Sequence, residues 1–114
     1  MRNDVVTCGL ADRVGVVHEH VKESPYRFAL VISNGGCVLG RLRASALQEC
    51  DPGSTAEAVM EPGPSTIRLD IELPALVKRL HEREFMFAVV TDPDGVLAGV
   101  VRRSDAEALL SRRG

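Results

Sequence analysis

The chain has 114 residues, enough for one domain or for two small units that share a core. Hydrophobic residues make up 45% and charged residues 26%, the balance of a soluble globular protein, while only 4% aromatics and no Trp leave an aliphatic core. A formal net charge of −2 argues against nucleic acid as the main partner, since phosphate neutralisation needs a concentrated basic surface.

Asp4 to Cys8 reads as a short strand. Val14, Val17 and Val21 then fall on one face of a helix, although Gly15 weakens it. Phe28 to Ile32 and Cys37 to Leu42 form two strands that turn through Ser33-Asn34-Gly35-Gly36. A short helix covers Ser45 to Glu49, and Cys50 to Ser54 is a linker. Thr55 caps a brief helix over Ala56 to Met60, and Glu61-Pro62-Gly63-Pro64 turns into the next strand, Ser65 to Leu69.

Asp70 is a good N-cap for the following helix, with Glu72 in its first turn and Pro74 early enough to be tolerated. Leu73, Leu76, Val77 and Leu80 stand at i, i+3, i+4 and i+7, one apolar face. Phe85 to Thr91 is a β-rich run, and Asp92-Pro93-Asp94-Gly95 makes a turn in which Pro presets φ and Gly permits φ > 0. Val96 to Val101 is the return strand. Ser104 or Asp105 caps a last helix with Ala106, Leu109 and Leu110 on its buried side.

The chain repeats itself. Moving Phe28-Ala29 onto Phe87-Ala88 sets an ungapped register of 59 places (28 to 87) from Thr7/Thr66 to Ser45/Ser104. Gly36 meets Gly95, Gly40 meets Gly99, and Arg43 meets Arg102. Leu10 meets Leu69, Val31 meets Val90, and conservative apolar pairs fill much of the rest. This is a duplication: two β-α-β-β-α units, residues 1–52 and 53–114, an α+β (α/β) fold with pseudo-twofold symmetry and one shared interior.

The second copy carries Ala58-Val59-Met60, then Thr66-Ile67, then Phe87-Ala88-Val89-Val90. It continues Asp92-Pro93-Asp94-Gly95-Val96-Leu97-Ala98-Gly99-Val100-Val101 and ends Arg102-Arg103-Ser104-Asp105. That tandem order resembles a CBS domain pair, and the first copy matches it more loosely. The resemblance implies two related clefts between the copies, able to take AMP, ADP, ATP or S-adenosylmethionine. It implies that Asp105 accepts from the ribose hydroxyls and that Thr66 and Ile67 line the adenine side. Arg102 stands where the family has Thr or Ser, and could clash with ribose or reach a phosphate. Arg103 is a second phosphate candidate, and Ser104 supplies a hydroxyl or caps the helix. Read from the residues alone, Asp105 is also a helix cap, Thr66 an ordinary strand residue, and the arginines solvated surface. Position 46, the equivalent of Asp105, holds Ala46 beside the pair Thr7 and Cys8, so at most one site, the one near Asp105, is expected.

Other constellations do not add up to catalysis. Cys8, Cys37 and Cys50 show no CxxC spacing, which fits packing in a reducing cytoplasm rather than zinc or disulfides. His18 aligns with Val77 on the inward helix face and reads as a core or interface histidine, while His20 and His81 read as solvent-facing. Arg112 and Arg113 suit the negative pole of the last helix. No phosphate-cradling loop, nucleophile elbow, signal-length apolar run or membrane span is found. The expectation is a non-enzymatic, cytoplasmic sensor of an adenosine-type ligand, homodimeric and without required cofactor, acting on an effector protein. The rival is a ligand-free interaction or dimerisation module.

Overall fold

The computed structural model describes residues 4–63 and 65–113; Pro64 and the side chain of Arg113 lie outside what is described here. Two hairpins set the architecture. In the first half, β1 (Val6–Cys8) lies parallel to β2 (Phe28–Ile32), which pairs antiparallel with β3 (Val38–Arg43). In the second, β5 (Thr66–Arg68) lies parallel to β6 (Phe87–Thr91), antiparallel to β7 (Leu97–Arg102). The registers repeat at the 59-place offset: Phe28↔Arg43 matches Phe87↔Arg102, and each hairpin shifts register just before its turn.

Helices close one face of each sheet. The first sheet takes α1 (Val14–Glu23) and α2 (Ala44–Glu49), the second α4 (Leu73–Glu82) and α5 (Arg103–Arg113). The two-residue period of the strands sorts the core. Ala29 and Val31 turn toward Val14, Val17, Val21 and Leu47, while Ala88 and Val90 turn toward Leu76, Leu80 and Ala106. The alternate residues Phe28, Leu30, Val89 and Val100 meet in a third cluster that both halves share. That shared interior is why neither unit has to stand alone at half this length. The halves also join at their hairpin tips, across the pseudo-twofold axis. Val38 N–H donates to the Gly95 carbonyl at 3.1 Å, and Leu97 N–H donates to the Gly36 carbonyl at 3.0 Å. Cys37 and Val96 form an antiparallel bridge there.

Several expectations shift. Asp4 and Val5 precede β1, and Cys37 joins the bridge instead of β3. The helix expected after Asp70 starts at Leu73, with Glu72 at the N-cap position and Pro74 in the first turn, where a missing N–H costs no helical bond. The last helix begins at Arg103, so Ser104 and Asp105 lie inside its first turn and not at the N-cap position; that is a favourable place for a carboxylate. Leu109 is half exposed, while Ala106 is buried. Gly15 has a packing reason: a Cβ there would stand 2.9 Å from the Pro52 side chain.

The segment after the linker departs most. Thr55 caps α3 (Ala56–Val59) by accepting from Ala58 N–H, as expected. Yet Ala56, Val59 and Met60 pack into the first half's core, and Glu61–Pro62 forms β4, antiparallel to β3. The opening helix of the second repeat therefore covers the first sheet. Gly40 makes room for it, since Met60 and Glu61 lie where its Cβ would be.

Candidate functional site

At the end of the hairpins away from their tips, the halves leave an open cavity of about 480 Å³. That volume is within the range of small-molecule sites. Its floor is apolar: Phe28 and Phe87 edge-on at 5.6 Å, with Val89, Phe85 and Met86. Its rim is polar and basic. Arg27 enters from the start of β2, Arg41 and Arg43 from the end of β3, Ser45 and Gln48 from α2. The second half contributes Ser65, just before β5, and Glu84 from the loop before β6.

Arg41 and Arg43 reach the same side because Leu42 between them points into the helix-covered core. Glu61 on β4 holds both: Arg43 Nε lies 2.8 Å from Oε1 and Arg41 Nη2 lies 3.5 Å from Oε2. Arg41 Nε is buried and makes no hydrogen bond among the described residues. Arg27 has no ion pair among them. Three guanidiniums against the carboxylates of Glu61 and Glu84 leave a net positive charge of one, which favours an anion.

Glu84 takes a left-handed conformation, φ 55°. It ends α4 in a Schellman arrangement: Glu84 N–H donates to the His81 carbonyl (3.2 Å) and Phe85 N–H to the Leu80 carbonyl (2.9 Å). The bend carries Phe85 and Met86 to the cavity.

The twin of this cleft, by the 59-place offset, would be lined by Arg102, Arg103, Ser104 and the residues around Tyr26. Tyr26 fills it. The ring is fully buried, with Phe87 edge-on at 5.2 Å and the Arg102 guanidinium 5.7 Å above its face. Its hydroxyl donates to Asp4 Oδ1 at 2.9 Å. Phe85 is the offset partner of Tyr26, and it lines the open cavity rather than closing it.

The residues singled out from sequence are therefore divided. Arg102, Arg103, Ser104 and Asp105 cluster where β7 runs into α5, at the occupied cleft. Arg103 is turned to Glu107 (Nε–Oε1 3.3 Å), which also meets His81 (2.9 Å). Thr66 and Ile67 lie on β5, at the opposite sheet edge from β7 with β6 between them, two strand spacings or about 9.5 Å away. Ile67 is buried in the core, and Thr66 is exposed beside a small hollow of about 160 Å³ that also includes Ser65 and Phe85. Each cleft thus joins the end of one copy to the beginning of the other, and Thr66–Ile67 belong with the Arg41–Arg43 side. Ala46 is half buried and does not line the cavity. His18 is half buried at a further groove of about 360 Å³. The signal missed was Arg41-Leu42-Arg43: Arg43 is the offset partner of Arg102, and the β period puts Arg41 beside it. Among the described residues no helix is long and apolar enough to cross a membrane.

Residues 56–111 match the CBS domain family. No curated protein matches in sequence. Among solved structures, the cytosolic domain of the Mg2+ channel MgtE in complex with ATP is similar at TM-score 0.82 and 20% identity, covering 92% of this chain and 44% of that one. CBSX2 in complex with AMP is similar at TM-score 0.82 and 22% identity, covering 99% and 93%. The cystathionine beta-synthase pair domain of the putative Mg2+ transporter SO5017 from Shewanella oneidensis MR-1 is similar at TM-score 0.87 and 13% identity, covering 98% and 67%. The chain spans less than half the length of the MgtE domain it matches.

Proposed function

Starting from the fact that the chain is a CBS-domain pair, its second motif matched in sequence and its whole length in fold, we propose that it is a non-enzymatic regulatory module that senses an adenine nucleotide in the cleft between its motifs. The cavity that joins an aromatic floor to three arginines carries this reading. A base finds apolar and π surface on Phe28, Phe85 and Phe87, and a phosphate finds Arg27, Arg41 and Arg43. Ser45, Ser65 and Glu84 offer partners for ribose hydroxyls where Ala46 lacks a carboxylate. The basic rim favours AMP, ADP or ATP over S-adenosylmethionine, whose sulfonium is repelled there. Asp105, with Ser104, Arg102 and Arg103, marks a second ligand position that opens only when Tyr26 moves. The two motifs divide at residues 52 and 53. Output passes to a partner, through a homodimer or an effector protein. The ATP- and AMP-bound relatives support the ligand class.

The filled twin cleft and Ala46 favour a second reading, a CBS pair that regulates a partner without any ligand. Thermal shift separates the two. A ligand at a hundred times its Kd adds about 2.7 kcal/mol, a rise of about 11 °C for a chain of this size. Arg43→Ala should remove the shift, and Asp105→Ala should leave it. No shift with AMP, ADP, ATP or S-adenosylmethionine at millimolar concentration would overturn the nucleotide reading and leave the second one in front.

A further inference from the structure

We infer that the ligand of this cleft carries an extended polyphosphate tail, which leaves the arginine cavity past Arg27 and runs into a neighbouring groove at Lys22 and His18. The inference rests on the adenine-nucleotide reading and goes beyond it by assigning a tail and its path. The groove is about 360 Å³ and is lined by the end of α1, the Ser24–Arg27 loop and the start of α2. It shares Arg27, Ala44 and Gln48 with the 480 Å³ cavity, so the two adjoin along these residues. Their characters differ. The cavity has the aromatic floor that a base needs, whereas the groove offers ammonium, imidazole, hydroxyl and guanidinium groups from Lys22, His18, Ser24 and Arg27.

No carboxylate lines the groove among the described residues. Glu19 approaches only from the outside, at 3.1 Å from Lys22 Nζ, with both side chains more than half exposed. An ion pair so exposed is weak and readily exchanged for a phosphate. Arg41, Arg43, Arg27 and Lys22 then form one basic track from cavity to groove. Arg27 sits at the junction, without an ion pair among the described residues. On this proposal a monophosphate stays at the cavity end of the track, and each further phosphate extends toward Lys22.

Calorimetric titration of AMP, ADP and ATP into the full chain at physiological salt tests this. Affinity should rise with each phosphate, about tenfold from AMP to ATP. Lys22→Ala should lower ATP affinity about fivefold and leave AMP affinity within about twofold, and Lys22→Arg should restore it, since each contact is a charge pair at a partly wet site. Equal affinities for AMP and ATP, or an ATP-to-AMP ratio that survives Lys22→Ala, would overturn the tail and leave the nucleotide site standing. Failure of all three nucleotides to bind would remove the site reading as well. Tighter binding of a single-stranded oligoadenylate than of ATP would overturn a small-molecule tail in favour of nucleic acid.

Discussion

Adding one methyl group at Gly40 should unseat the strand that carries Glu61. Gly40 sits in β3, buried, opposite Pro62 of β4. A Cβ there would stand 2.5 Å from Met60 Sδ and 2.9 Å from the Glu61 carbonyl oxygen. The thioether can rotate away. The carbonyl cannot, because β4 is held to β3 on both sides, with Gly63 N–H donating to the Leu39 carbonyl at 3.0 Å. The strand must move outward. Overpacking of this kind costs about 1–3 kcal/mol; taking about 2 kcal/mol, and an unfolding entropy of about 2.1 cal/mol/K per residue, the melting temperature should fall by about 8 °C. The assay is a thermal melt of Gly40→Ala against Gly53→Ala, whose Cβ meets only Asp51 Oδ1 at 3.4 Å and should change little. A Gly40→Ala protein that melts within about 2 °C of the parent would refute the reasoning, since β4 would then have yielded at no cost.

Two further outcomes follow from local chemistry. Glu84→Gly should stabilise the fold by about 1 kcal/mol, because Gly accepts the left-handed geometry without the Cβ penalty; a melting temperature unchanged or lowered would show that the Glu84 side chain itself contributes. Burial, with a smaller effect of nearby Asp12, pushes the Cys8 thiol from 9.0 up to about 11. The buried thiol keeps its proton while the unfolded one loses it, so this stabilisation is complete below pH 9 and is lost as pH rises toward 11. Cys8→Ala should flatten the decline between those values in a pH series of melts, and Cys8 should be the slowest of the three thiols to alkylate.

The repeat, the hairpins and the aliphatic core were legible because each is a local pattern: period-two strands, a period-3.6 helix face, and turn residues at fixed places. The offset of 59 also identified Arg43 with Arg102. What an offset cannot say is which equivalent residues become neighbours. The two sheets face one another across a twofold, so the end of one copy meets the beginning of the other, and Asp105 parts from Thr66–Ile67. Tyr26 and Phe85 show a second limit. Both are aromatic at the same repeat position, yet one closes its cleft and the other lines an opening. Asp4, which accepts the Tyr26 hydroxyl, has no counterpart at its offset position: residue 63 is Gly63. β4 was hidden because Glu61-Pro62-Gly63 carries turn chemistry, and only Gly40 on the facing strand admits it.

The paired hydrogen bonds between the hairpin tips fasten the halves at one end, while the cavity lies at the other. Five residues of β2 separate the two, about 17 Å of extended chain. A guest wedged at the cavity would act on the halves as on the handles of tongs pinned at the tips, and spin labels on Glu19 and Lys78 would read any change in their spread. The shared core around Leu30 and Val89 lies between the pin and the cavity, so the same labels would report whether it stays closed when the spread changes.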